Sequence, residues 1–545
     1  MAQGYLSIIL HAHLPFVRYP KNDSILPEHW LFEAITETYI PLLEMMNRLE
    51  EENVNYALTI NISPPLAEML NDKLLQKKYR KNLEQLLELS EKEIARTKGQ
   101  PEFNQLARMY RDLFQRTHHV FCQKYEHNLL SAFKELHRGG NLELITSAAT
   151  HGYMPLMHTP EAINAQIKTG METHKQLLGE RAAGFWLPEC AFMPEMDSLL
   201  ARNNIRYFIG ATHAVLHADP RPRYGVYAPI YTPEGVACFG RDYESSKQVW
   251  SGNEGYPGDY DYREFYRDIG YDRDYDYISP YLPAEKRVPL GIKYYRITGE
   301  TDDKDVYNPD QARKKAAQHA GNFMFNRQQQ VQYLASNMDR KPIITAPYDA
   351  ELFGHWWFEG PQWLEFLFKK IHFDQEEIEP ITPSHYLNKY PQNQISLPSE
   401  SSWGYKGYHE VWLNGSNSWI YRHLHEAELK YRELTKNNQQ LDNREHIRYR
   451  ALNQMGRELM LAQSSDWAFI MKTGTMVDYA EMRTKKHLHN FFKLAHQFSD
   501  NDLQENYLKK LEEHNNIFPH FDFKFFLLEE SYFSNKSDPV YMVEN

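Results

Sequence analysis

The sequence predicts an α/β fold: a parallel barrel that carries a helical insertion and is followed by a helical C-terminal domain. Three observations predict it. Short apolar runs of strand length recur along the first 350 residues, and four of them run straight into loops bearing His, Glu or Asp. Between two of these runs the period is helical for almost seventy residues, with no strand signal. Beyond about Pro398 the strand signals stop and helical periodicity takes over. These features divide the 545 residues into a barrel over 1–400, with an insertion at about 70–137 and an aromatic loop at about 241–281, and a helical domain over 401–545.

The first run, Tyr5 to Leu10, is too short for a signal peptide or a membrane span and lacks a basic leader, so it reads as a first strand. It ends in His11-Ala12-His13-Leu14-Pro15. Alternate residues at a strand end point the same way, so both histidines face one pocket. They could be a metal pair or two neutral hydrogen-bonding imidazoles. HAHLP holds no third ligand, which favours polar contacts over a metal. A helical pattern with apolar Ile35, Tyr39, Leu42, Met46 and Leu49 follows. Asn55–Ile60 is the second strand, and Ser63-Pro64-Pro65 starts a helix. In the insertion, Tyr79, Leu83, Leu86 and Leu87 fall on one stripe.

Gly139-Gly140 ends the insertion, and Leu142–Thr146 is the third strand, running into Ser147-Ala148-Ala149-Thr150-His151. The fourth, Ala183–Leu187, runs into Pro188-Glu189-Cys190. A carboxylate between apolar neighbours sits where desolvation tunes its reactivity, although a buried Glu–Arg pair would read the same way. Cys190, beside Phe192, is expected to pack. Ile205–Gly210 is a fifth strand and Lys293–Ile297 a sixth. Between Trp250 and Tyr281 lies a stretch rich in Tyr, Asp and Gly, too polar for core and long enough for a lid or binding loop, with Arg263 and Arg267 as its anchors. The last strand, Ile343–Ala346, is closed by Pro347, which has no N–H to donate. The loop after it holds Asp349, Glu351, His355, Trp356 and Trp357. In the C-terminal part, Gln463-Ser464-Ser465-Asp466-Trp467 interrupts the helical pattern. Trp403, Trp412 and Asp466 are expected to reach the cleft from this side, whereas Trp419 and Trp467 fit interdomain core equally well.

A net charge of −12 argues against nucleic acid or an anionic membrane as the main partner. Three cysteines without a CxxC suit a reducing compartment, hence the cytoplasm. With 37 Tyr, 28 Phe and 10 Trp, the chain is rich in flat faces that stack on sugars. In a parallel barrel all strand C-termini meet on one face, which brings His11, His13, His151, Glu189 and Asp349 together. Two carboxylates with neutral polar groups, and no phosphate loop, dinucleotide fingerprint or serine triad motif, point to glycosyl transfer: one attacks the anomeric carbon and the other handles the proton.

HAHLP, TSAATH, WLPECAF, APYDAELFGHWW and SSWG…WLN, in that order, resemble the five motifs of glycoside hydrolase family 57 across most of the chain. RELMLAQSSDWAFIM and the later YAEMR resemble its α-1,4-glucan branching enzyme subgroup. That resemblance implies an incomplete (β/α)7 TIM-like barrel with helical additions and no metal or other cofactor. It implies Glu189 as nucleophile and Asp349 as acid/base, chosen over Glu351 two residues on. His11, His13, His151, Trp357, Trp403 and Asp466 would line the sugar subsites, and Arg263 would bind glucan. The activity implied is retaining transfer of an α-1,4-glucan segment to a 6-OH, as in glycogen biosynthesis. The alternatives are a 4-α-glucanotransferase or amylase of the same family, a metal-dependent sugar deacetylase or mannosidase built on His11 and His13, and a catalytically dead glycogen-binding protein.

Overall fold

The computed structural model describes residues 2–21, 25–251, 254–283 and 286–529. Nine strands occur among them: β1 (Gly4–Ala12), β2 (Leu58–Ile62), β3 (Leu142–Ser147), β4 (Gly184–Trp186), β5 (Tyr207–Gly210), β6 (Ile230–Tyr231), β7 (Ala237–Gly240), β8 (Ile343–Asp349) and β9 (Ile378–Pro380). β1 is buried at all its positions, as a parallel strand covered on both faces must be. The sheet runs β6-β7-β5-β4-β3-β2-β1-β8, and β9 takes Gly4–Leu6, the part of β1 that β2 leaves unpaired. Every pairing is parallel except β6 with β7. Eight strands thus pair in parallel, and the seven from β7 to β8 along the sheet curl into the incomplete barrel that was expected. The seam between its ends is bridged just past β7, where the Asp242 N–H donates to the Thr345 carbonyl at 2.8 Å.

Two strand expectations need correction. Lys293–Ile297 is no barrel strand. Its backbone bonds run to Tyr262, Glu264 and Asp305 within the aromatic segment, so its β-type residues build a local scaffold. The sixth parallel strand is Ala237–Gly240, whose Ala, Cys and Gly carry little β signal. Pro347 does not end β8 either: the ladder continues to Asp349, opposite His11. β8 is the last strand of the sheet, so the face that lacks an N–H has no strand to feed.

The insertion is helical, with helices Lys73–Arg96, Pro101–His119 and Leu129–Gly139, and its stripe of Tyr79 and Leu83 is buried in the main core. After the barrel, helices Trp419–Asn437, Ile447–Ala462, Ser465–Thr473, Val477–Ser499 and Glu505–His514 share a second core, which also takes Tyr153, Ala162 and Ala165 from the barrel side. That shared core lays the C-terminal helices across the strand ends. No helix among the described residues is long and apolar enough to cross a membrane.

Candidate active site

Register alone aligns the first layer of the site. His11 lies opposite Asn61 on one side and Asp349 on the other. Its ring stacks on Trp186 of β4 at 4.4 Å and 8°, and its Nδ1 lies 2.6 Å from Asn61 Nδ2. Burial, and then the nearby His13, hold its pKa well below the ordinary value, so it is neutral. His13 and His151 continue the stack, 4.0 Å and 20° apart. His151 Nδ1 meets the Ser465 hydroxyl at 2.9 Å, while its buried Nε2 has no partner in the protein. Burial keeps His151 neutral as well.

His13 is the exception among the three. Burial would lower its pKa, but the charges of Asp466, Glu351 and Glu189 outweigh that and raise it. Its Nε2 lies 3.1 Å from Asp466 Oδ2, its Nδ1 2.8 Å from Ser63 Oγ, and its backbone N–H donates to Glu351 at 3.2 Å. Asp466 answers in kind: burial opposes its charge, but His13 brings its pKa down to about 2.

Glu189 follows β4 with a left-handed backbone, φ +62°, a conformation that non-glycine residues adopt at a cost of about 1–3 kcal/mol. Its backbone carbonyl accepts from Trp403 N at 2.9 Å. Its carboxylate accepts from the Trp403 indole at 2.8 Å and from the Ser465 hydroxyl at 3.0 Å. Burial raises its pKa to about 7 against the pull of those two donors. Asp349 is raised well above the carboxylate range, first by burial and then by the charges of Glu351 and Glu189, with Arg241 opposing. Arg241 itself lies over the Trp403 ring, 5.6 Å away. The two carboxyls thus have unequal surroundings: Glu189 has donors that favour its anion, and Asp349 is driven to keep a proton. Glu351 serves another purpose. It accepts from the Tyr39 hydroxyl at 2.5 Å and from His13 N, so it holds β1 and the β8 loop together.

His13, His151 and Asp466 each offer a ligand atom within 4.8 Å of one another. The partners that HAHLP lacks are thus supplied from far along the chain, so its spacing does not exclude a metal. Both ring nitrogens of His13 are spent on Ser63 and Asp466, which leaves the Nε2 of His151 as the nitrogen of this stacked pair that can meet a ligand.

Three predicted contacts do not reach the pocket. Arg263 is buried, ion-paired to Glu37 at 2.9 Å and seated 4.0 Å over Phe358. It anchors the aromatic segment, as does Arg267 through Asp272. Trp357 is 1% exposed and packs on Trp363 and Tyr262, while its neighbour Trp356 is 44% exposed and meets Trp250 edge-on at 6.0 Å. Adjacent residues of a tight turn face opposite ways, and the sequence HWW does not say which faces out. Trp412 likewise belongs to the core, stacked on Tyr153 at 4.4 Å. Residues that sequence reasoning missed are Asn61, Trp186, Arg241, Trp250 and Ser465. Only Ser465 had a signal, in the break of helical period around Ser464 and Asp466.

The family model for glycosyl hydrolase family 57 matches residues 7–398, which take in the barrel from within β1 onward and both carboxylates. This chain belongs to glycosyl hydrolase family 57. A second model, for the C-terminal part of 1,4-alpha-glucan branching enzymes, matches residues 423–526. Among family 57 relatives, the 1,4-alpha-glucan branching enzyme TK1436 of Thermococcus kodakarensis is 32% identical over 95% of this chain and 77% of its own. The crystal structure of the alpha-amylase AmyC from Thermotoga maritima is similar at TM-score 0.90 and 44% identity, covering 96% of this chain and 99% of that one. The GH57-type branching enzyme of Pyrococcus horikoshii is similar at TM-score 0.86 and 32% identity, covering 97% of both chains.

Proposed function

We propose that this family 57 protein is a 1,4-α-glucan branching enzyme, which cleaves an α-1,4-glucan and transfers the segment to a sugar 6-OH. One observation carries the reading. The segment matched by the branching-enzyme C-terminal model supplies Ser465 to Glu189 and Asp466 to His13, so it completes the pocket. In the first half-reaction Glu189 attacks the anomeric carbon, and Asp349 gives its proton to the leaving oxygen. A covalent glycosyl–Glu189 ester results. In the second half Asp349 takes the proton of the acceptor 6-OH, which displaces Glu189 with net retention. Neutral His11 and His151 hydrogen-bond the sugar hydroxyls, His13 is held beneath them by Ser63 and Asp466, and Trp403 both orients Glu189 and borders the acceptor side. Residues 1–400 form the catalytic domain and the helices from 401 onward the second. We place the enzyme in the cytoplasm, where its three free cysteines stay reduced.

A second reading is hydrolysis, favoured by the 44% identity to AmyC. The two differ in whether water or a glucan accepts the segment. Incubation with amylose, followed by a debranching enzyme, tests them. Branching releases new chains on debranching while reducing ends stay nearly constant beforehand. An amylase raises reducing ends at once and leaves nothing to debranch.

A further inference from the structure

A roomy groove lies outside the catalytic pocket. It measures about 1370 Å³ and lies along the aromatic segment, with Asp259, Tyr260, Tyr266, Asp302, Lys304 and Trp356 among its walls, and neither Glu189 nor Asp349 borders it. Small-molecule sites run to roughly 300–1,000 Å³, so this one has room for an oligomer. Its surface is also unusual in kind. Of its walls, Tyr260 is 62% and Tyr266 81% exposed, and Tyr243, Trp250, Tyr271 and Tyr275, outside the groove, are exposed in the same stretch of chain. A soluble protein rarely gathers so many large rings in water without a ligand for them.

The groove connects to the site through rings. Trp403 donates to Glu189 and stacks at 6.5 Å and 23° with Trp250. Trp250 meets Trp356 at 6.0 Å, and Trp356 is a wall of the groove. The backbone beneath is held by ion pairs, Arg263–Glu37 and Lys304–Glu264, the latter at 2.7 Å. A fixed floor with outward rings is what a chain of glucose units needs, because each sugar offers an apolar face to a ring and hydroxyls to the carboxylates beside it.

We propose that this groove binds the α-glucan chain several sugars away from the bond being broken, with Tyr260, Tyr266 and Trp356 as stacking platforms. The proposal rests on the glucan reading of the catalytic pocket and extends it to substrate length. Long chains reach both regions at once, so the groove works as a second point of attachment on one polymer.

The test is affinity electrophoresis in gels containing soluble amylose, with Tyr260→Ala/Tyr266→Ala and Trp356→Ala beside the parent, together with kcat and KM on the same amylose. Both side-chain sets are solvent-facing, and circular dichroism of each variant verifies its fold. The expected result is that the parent is retarded and the double variant migrates nearly as in a blank gel, with KM for amylose up by roughly tenfold and kcat within about twofold. Retardation and KM equal to the parent's would overturn the proposal, as would a kcat loss with KM unchanged, since that places the rings in the chemical step. Retardation needs no turnover. If the parent fails to branch amylose yet is retarded through these rings, the branching assignment falls and the groove stands.

Discussion

In the pocket at the strand ends, side chains are buried and tied to one another. His13 has a partner on each ring nitrogen, Glu189 on each carboxylate oxygen, and the partners come from the residue after β2, from the Trp403 loop and from the C-terminal helix that begins at Ser465. In the aromatic segment beside it the arrangement is inverted. There the charged side chains Arg263 and Lys293 are buried as anchors, and the rings Tyr260 and Tyr266 face water. The contrast separates two tasks. A reacting centre needs fixed atoms and altered proton affinities, which burial gives. A polymer track needs a firm backbone and open faces, which buried anchors beneath exposed rings give.

Perturbing each side should produce a different kind of loss. The largest is expected from Glu189→Gln, which leaves no carboxylate to form the ester and should abolish cleavage and transfer together in an amylose assay. Asp349→Asn should slow both by roughly 10²–10⁴-fold, the usual worth of a positioned acid/base. If Asp349→Asn keeps nearly full activity and Glu351→Gln does not, the acid/base lies at Glu351 instead.

On the anchor side the loss should be in stability. Arg263→Met leaves buried Glu37 with His355 but without its guanidinium partner and is expected to cost about 3 kcal/mol in denaturant unfolding. Arg267→Met, at a half-exposed pair, should cost less than about 1 kcal/mol. Equal costs would mean that the anchors are not what sets the segment apart.

The pH profile sharpens the pocket side. Glu189, with its pKa near 7, must be ionised to attack, so kcat/KM should fall as pH drops through about 7. Asp349, raised well above the carboxylate range, must keep its proton, so activity should fall again once pH exceeds its pKa. Ser465→Ala removes a donor that favours the Glu189 anion and should move the acid limb upward by roughly one pH unit. An unmoved limb with lower activity throughout would make Ser465 a packing residue.

The smallest effect is a change of product. Trp403→Ala should raise the ratio of new reducing ends to new branches a few-fold, as water competes better for the glycosyl–enzyme. Equal loss of cleavage and branching would place Trp403 on the donor side.

The barrel was legible because four strand ends left a mark: an apolar run followed at once by HAH, TSAATH, WLPE or APYDAE. The carboxylates were legible for the same reason. The contacts were not, since they depend on which way a side chain turns. Trp356 and Trp357 have the same neighbours and composition yet take opposite roles. Arg263 reads as an exposed cation in YREFYRDIG, and only the helix that carries Glu37 reveals it as buried. The loop after β8 passes so close to that helix that a Cβ on Gly354 would stand 1.7 Å from the Glu37 carbonyl oxygen, a proximity no local pattern encodes. The strand Ala237–Gly240 escaped because small residues specify a strand only through the neighbours they fit between.

Ser464, Ser465 and Asp466 stand near the far end of the chain from His11 and His13, and this has a consequence during synthesis. Domains begin to fold as they leave the ribosome, N-terminal part first. The barrel strands, complete by Pro380, can gather while the later helices are still being made. At that stage Glu189 lacks its hydroxyl donor and His13 its carboxylate. A chain released early by truncation or by a stalled ribosome therefore carries the nucleophile without its supports. Competence for chemistry arrives only with the last hundred residues, so an unfinished copy has no working pocket with which to cut the polymer around it.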